Sequence, residues 1–174
     1  VLDEYDTNES MYPRIAEGAE AYDVLCPSDY MINKLIYNYL IQPLDFSKLP
    51  NARKYIDKDF FDQCRAFDWE GKYTVPYCWG TVGIMYNTKM VDEPVDSWNI
   101  LWSEEYADQI IMENSVRDAF VAPLRLMDCS INTTDEAELR SAAEMLEAQY
   151  PLVYAYQVDE TIDTMIGGEA ALGM

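Results

Sequence analysis

The chain has 174 residues, 49% of them hydrophobic, and 32 Asp plus Glu against 12 Lys plus Arg give a formal net charge of −20 with no histidine. One folding unit or two small ones fit this length, and a nucleic-acid backbone or an anionic membrane surface is excluded as a partner, because both would repel so acidic a chain; a cationic partner is favoured. Without imidazole, Ser-His-Asp and Cys-His nucleophile arrangements and His-ligated zinc fall too.

In chain order the rhythm is short apolar strand, turn and amphipathic helix, which predicts an α/β protein. Residues 22–25 read as a brief strand running into Cys26-Pro27-Ser28-Asp29. Met31, Ile32, Leu35, Ile36, Tyr39 and Leu40 then fall on one helical face, with Ser28 or Asp29 as the cap. From Gln42 to Lys72 the text turns irregular and predicts loops and short helices, a packed cover. Residues 73–76 and 81–86 read as strands around Tyr77-Cys78-Trp79-Gly80, so that a long glycine-interrupted strand would pass between two lobes.

Ser97 caps a short segment around Trp98, Leu101 and Trp102, and 109–112 is the next strand. The corner Glu113-Asn114-Ser115-Val116-Arg117-Asp118 opens a helix carrying Val116, Phe120, Leu124 and Met127 on one face, kinked by Pro123. Thr133 with Glu136 forms a capping box for a helix whose buried stripe is Leu139, Ala142, Ala143 and Leu146, with Pro151 ending it. A strand at 153–156, a helix at 159–166 closed by Gly167-Gly168, and the beginning of a strand at 170–174 complete the reading. In open α/β sheets ligands collect where strand carboxyl ends meet helix amino ends, so Ser28, Asp29 and Tyr30 mark one candidate corner and residues 113–118 a second.

Cys26, Cys64, Cys78 and Cys129 stand singly, with no CxxC pair, among apolar or aromatic neighbours; four buried thiols are expected rather than a zinc site, with disulfides left open. No apolar run approaches the roughly 20 residues of a membrane span. The opening Val1-Leu2-Asp3 does not resemble a signal peptide, and the chain reads as a mature protein or an excised piece.

Several phrases together resemble the spermidine/putrescine-binding proteins, the extracytoplasmic solute receptors of bacterial polyamine ABC transporters. They are Asn8-Glu9-Ser10-Met11-Tyr12, the run from Tyr22 through Ser28-Asp29-Tyr30 to Ile32, Val75-Pro76-Tyr77-Cys78-Trp79-Gly80-Thr81-Val82-Gly83-Ile84, Ser97-Trp98 with Leu101-Trp102, Ser115 to Phe120, Asn132-Thr133-Thr134-Asp135 and Gly168-Glu169-Ala170-Ala171-Leu172-Gly173-Met174. The resemblance implies a periplasmic-binding-protein-like II fold of two α/β lobes, here truncated at both ends, with 1–80 a partial first lobe and 81–174 most of the second. It implies a non-enzymatic function: capture of spermidine or putrescine between the lobes and delivery to the membrane permease, on the periplasmic or extracellular face of the cytoplasmic membrane, with no cofactor. Oligomers through surface exposed by truncation are an expectation of the same reading.

By resemblance Ser28 and Tyr30 face the ligand, Asp118 is an acidic ligand residue with Asn114 and Ser115 beside it, and Trp79 supplies a wall. Ser115 stands where polyamine binders often carry an aspartate. From spacing alone Ser28 and Asp29 are ordinary N-caps, Tyr30 packs on a neighbour, Trp79 is core, and Asp118 gains from the helix dipole. A polyamine needs carboxylates or carbonyls for its ammonium groups and aromatic faces over its methylenes, which 14 Tyr and 4 Trp supply. Glu104-Glu105 and Asp135-Glu136 read as solvated helix starts; Asp159-Glu160 and Asp163 fit the same reading, although Gln157 and Asp159 lie at a strand end where a ligand could touch. The alternatives are a type II receptor for another cationic or metal-associated solute, calcium included, and a carboxylate-pair hydrolase.

Overall fold

The computed structural model describes residues 1–18 and 21–174 and divides into two compact units, Val1–Gly80 and Thr81–Met174. In the first unit, helix α1 (Asn8–Ala16) is closed at its start by a reciprocal box, the Thr7 side chain accepting from the Ser10 amide and the Ser10 side chain from the Thr7 amide. Helix α2 (Asp29–Tyr37) turns Met31 and Leu35 inward, one helical repeat apart. These two and Met11 form the buried core, ringed by Tyr5, Tyr12, Ile15, Leu25, Tyr30, Leu40 and Ile41. A 3-10 turn at Phe46–Lys48 and helices α3 (Pro50–Tyr55) and α4 (Lys58–Cys64) follow, none of them with a buried residue.

Helix α2 stops short of its expected face. The Tyr39 amide donates to the Ile36 carbonyl and the Leu40 amide to the Leu35 carbonyl, a Schellman closure that holds Tyr39 at φ 58°. Tyr39 therefore points to solvent instead of continuing the apolar stripe.

Among the described residues of the first unit the buried polar one is Asp68, 1% exposed. Its carboxylate accepts from the amides of Lys72, Tyr73 and Thr74 at 3.1, 2.8 and 3.0 Å and from the Thr74 hydroxyl at 2.9 Å. Gly71, at φ +64°, lets the chain turn back so that those amides converge. What reads in sequence as an irregular loop is thus organised around one carboxylate.

The second unit is a four-stranded sheet in the order β1-β4-β2-β3, formed by β1 (Met85–Tyr86), β2 (Ile110–Glu113), β3 (Val153–Gln157) and β4 (Leu172–Gly173). Strand β2 runs parallel to both neighbours, and β1 pairs antiparallel with β4. Ile110, Ile111 and Met112 are all buried, the continuous apolar run that a strand covered on both faces requires. One face packs Leu101, Ile110, Met112, Ala122, Leu172 and Met174; on the other Ile111 meets Met165 and Ala170. Helix α7 (Glu136–Gln149) is tied to the 3-10 segment Trp98–Trp102 by the Trp102 indole donating to the Met145 carbonyl at 2.9 Å and the Gln149 amide donating to the Leu101 carbonyl at 2.8 Å.

Helix α8 (Glu160–Gly167), ended by Gly168 in the left-handed region, lies close on β4. A Cβ on Gly173 would stand 3.3 Å from Thr161 Cγ2 and 3.4 Å from Met165 Sδ. Gly173→Val should therefore cost about 1–3 kcal/mol through overpacking, read as a lower urea midpoint; an unchanged midpoint would refute this close fit.

Several expectations are corrected. Among the described residues the first unit contains no β-strand. The runs 22–25 and 73–76 have strand composition, but a ladder needs a second extended segment and none pairs with them there. The run 81–86 is strand only at Met85–Tyr86, where β4 supplies the partner. The helix expected after the second corner is two, α5 (Val116–Ala119) and α6 (Val121–Leu126), broken at Phe120: Pro123 has no amide for the Ala119 carbonyl, and its ring crowds that carbonyl. Val116, 63% exposed, is off the buried face. The cap of α7 is Asp135, accepting from the Ala137 and Glu138 amides, while Thr133 donates its hydroxyl to Glu138. The four cysteines are free thiols and none is buried: Cys26 and Cys78 are exposed, Cys64 and Cys129 intermediate.

Candidate functional site

The first corner is built by Asn8, from the first turn of α1. Its side-chain amide donates to the Ser28 hydroxyl at 3.0 Å and to the Tyr30 hydroxyl at 3.1 Å, while its carbonyl oxygen accepts from the Ser28 amide at 3.2 Å. The Tyr30 hydroxyl in turn donates to the Glu9 carboxylate at 2.8 Å. Ser28 occupies the N-cap position of α2 but makes no capping hydrogen bond with its side chain. Its hydroxyl is instead engaged by Asn8, which sets aside the capping explanation for Ser28. Ser28, Tyr30, Asn8 and Glu9 thus form one polar cluster in which a phenol, a hydroxyl, an amide and a carboxylate are mutually oriented.

Trp79 belongs to the same unit but faces other partners. It is 71% exposed and its ring lies 6.3 Å from that of Phe60 in α4, tilted by 35°. That exposure overturns the reading of Trp79 as core.

The second corner is the carboxyl end of β2. Glu113 closes the strand opposite Gln157 of β3, and the Asn114 amide donates to the Gln157 carbonyl at 2.8 Å. Ser115 is the N-cap of α5, again without a side-chain capping bond, and Asp118 lies in that helix's first turn. The register makes this meeting of strand ends: Ile110 pairs with Val153 but Ile111 with Ala155, so Tyr154 is an extra residue in β3. The bulge advances β3 by one position, which places Gln157, with Val158 and Asp159 after it, beside the Glu113 end.

Electrostatics at this corner are one-sided. Burial holds the Glu113 carboxyl above the usual glutamate range, and the charges of Asp118 and Asp159 push it further the same way. Among the described residues no group of three or more His, Cys, Asp or Glu side chains is arranged to hold a metal ion. Arg117 is directed to Asn132, to whose side-chain oxygen it donates.

Sequence reasoning singled out Asn114, Ser115 and Asp118, and the structure brings these onto one strand-to-helix turn; Ser28 and Tyr30 share the Asn8 cluster. It did not single out Asn8 or Glu9, and it included Glu113 only as the first residue of the 113–118 corner. Asn8 and Glu9 carry no local signal apart from their place in a quoted phrase. The distinction of Glu113 comes from its burial and from the charges of Asp118 and of Asp159, the last remote in sequence.

Residues 19–174 match the family described as bacterial extracellular solute-binding protein. The spermidine/putrescine-binding periplasmic protein of Salmonella typhimurium is 34% identical over 172 residues, covering 98% of this chain and 49% of that protein. A Listeria monocytogenes structure described as a spermidine/putrescine ABC transporter superposes with a TM-score of 0.89 at 37% identity, covering 99% of this chain and 53% of that one. The Tp0655 lipoprotein of Treponema pallidum gives 0.86 at 27% identity over 98% of this chain and 53% of that one. The chain spans about half the length of these relatives.

Proposed function

The chain belongs to the bacterial extracellular solute-binding proteins, and we propose that its solute is a polyamine, putrescine or spermidine, taken up outside the cytoplasmic membrane and handed to the permease of an ABC transporter. The observation that carries this reading is the carboxyl end of β2, where burial and the charges of Asp118 and Asp159 all raise the Glu113 carboxyl, a cost that a bound ammonium would relieve. Relatives named for spermidine and putrescine support the choice of cation.

In this reading Asp118 meets an ammonium group, with Asn114 and Ser115 alongside, and Ser28 and Tyr30 are ligand-facing by the resemblance alone. Exposed Trp79 provides an aromatic face, where a cation gains about 0.5–2 kcal/mol depending on desolvation. The first unit already shows this chemistry within the protein, Lys34 Nζ standing 3.8 Å from the Tyr12 ring centroid. Residues 1–80 are read as part of one lobe and 81–174 as most of the other. The net charge of −20 raises the local cation concentration and speeds capture, an effect that salt screens. The role is binding and presentation, without chemistry on the solute.

The test is isothermal titration of the full-length gene product with putrescine and spermidine. Saturable heat with either supports the reading, and no heat with both overturns it.

A further inference from the structure

Resting on the polyamine reading, we propose that Asn8 is a positioning residue of the solute site, one that orients the Ser28 and Tyr30 hydroxyls before the solute arrives. The sequence resemblance holds Asn8 within a shared phrase and gives it no role; its hydrogen bonds do. Asn8 is the first residue of α1, and Ser28 and Tyr30 lie at the start of α2. The Ser28 amide can only donate, so the group that accepts from it at 3.2 Å is the Asn8 side-chain oxygen. The planar side-chain amide then turns its nitrogen, with two hydrogens, toward the Ser28 hydroxyl at 3.0 Å and the Tyr30 hydroxyl at 3.1 Å. The Tyr30 hydrogen is directed to the Glu9 carboxylate at 2.8 Å, so the phenol oxygen acts as an acceptor, the role that an ammonium group requires of it.

The fold does not depend on this amide. Helices α1 and α2 are joined by the buried Met11, Met31 and Leu35, by the Tyr5 hydroxyl donating to the Cys26 carbonyl at 2.6 Å, and by Lys34 over the Tyr12 ring. The start of α1 is closed by Thr7, and Ser28 does not cap α2 with its side chain. Ser28 is exposed and Asn8 and Tyr30 are half-buried, so water would replace each of these hydrogen bonds at little net cost. What Asn8 adds is direction. Hydroxyls held in one arrangement beforehand do not have to be ordered on binding, which raises affinity without a new contact to the solute.

The test is Asn8→Ala in the full-length gene product, titrated with putrescine in two backgrounds, the unmodified one and Ser28→Ala with Tyr30→Phe. In the first, affinity should fall about threefold to tenfold, the scale of one neutral hydrogen bond, with Tm little changed. In the second no hydroxyl is left to orient, and the same substitution should change affinity less than about twofold. Unchanged affinity in the first background, or an equal loss in both, overturns the assignment while leaving the polyamine reading standing. Should Asn8→Ala not fold, Asn8→Asp keeps the oxygen that accepts from the Ser28 amide and removes both donors. The attraction of its added charge for putrescine is common to the two backgrounds, so a difference between them of about threefold or more supports the role, and no difference overturns it. If the unmodified protein binds neither putrescine nor spermidine, the polyamine reading falls, and this inference with it.

Discussion

Asp118→Ala is expected to weaken putrescine and spermidine binding about tenfold to a hundredfold in isothermal titration, with little change in Tm. A hydrogen bond between a carboxylate and a cation is worth about 1.5–3 kcal/mol, and each 1.4 kcal/mol is a factor of about ten in affinity. The competing account of Asp118 is a favourable place beside the amino end of a helix. That helix, α5, is only four residues long, so its dipole offers little. The two accounts separate cleanly: dipole stabilisation predicts a lower Tm and unchanged affinity, ligation the reverse. Removing Asp118 also removes one of the charges that raise Glu113. The Glu113 carboxyl should then titrate closer to the ordinary glutamate range in carbon-detected NMR of the ligand-free protein, and no movement would show that the two carboxylates do not share a corner.

The largest stability effect is expected at Asp68. Asp68→Ala strips hydrogen bonds from the Lys72, Tyr73 and Thr74 amides and the Thr74 hydroxyl. Buried donors left without partners cost about 1–3 kcal/mol each. Tyr73 and Thr74 are only half-buried and Lys72 is exposed, so water recovers part of this. A net loss of about 3 kcal/mol remains, a large share of a total that is commonly about 5–15 kcal/mol. Asp68→Asn keeps the volume but sets a donor among donors, and should lose less than the alanine variant. Equilibrium urea unfolding checks both; a loss under about 0.5 kcal/mol for the alanine variant would show that the turn from Asp68 to Thr74 holds without its carboxylate.

The second unit was the more legible half. Strands β2 and β3 and helix α8 lie within a residue or so of where apolar runs, a proline and a glycine pair put them, because each of those signals acts on its own segment. The run 22–25 has the same composition as a strand and is not one. Extended backbone becomes a strand only through hydrogen bonds to a second segment, and no local pattern reports whether that segment is there. Pro123 was seen as a kink, yet its effect appears one turn earlier, since a missing amide is felt by the carbonyl four residues back. At Ser28 the local rule for caps pointed to a hydrogen bond within α2. An amide from α1 engages that hydroxyl instead, and serine spacing says nothing of a partner twenty residues away.

The amino-acid sequence by itself determined the charge balance, an excess of carboxylates that repels phosphate and anionic lipid, and the helical stripe that buries Met31 and Leu35. It also carried the resemblance through which Asp118, Ser28 and Tyr30 were chosen. Tertiary structure decided which of the 32 acidic residues act together. Asp68 is surrounded by amide donors and serves the fold, whereas burial and the charges of Asp118 and Asp159 raise the Glu113 carboxyl. Composition counts charges, but their energies depend on distance and burial, and both are set by strand register and helix starts that join residues far apart in the chain.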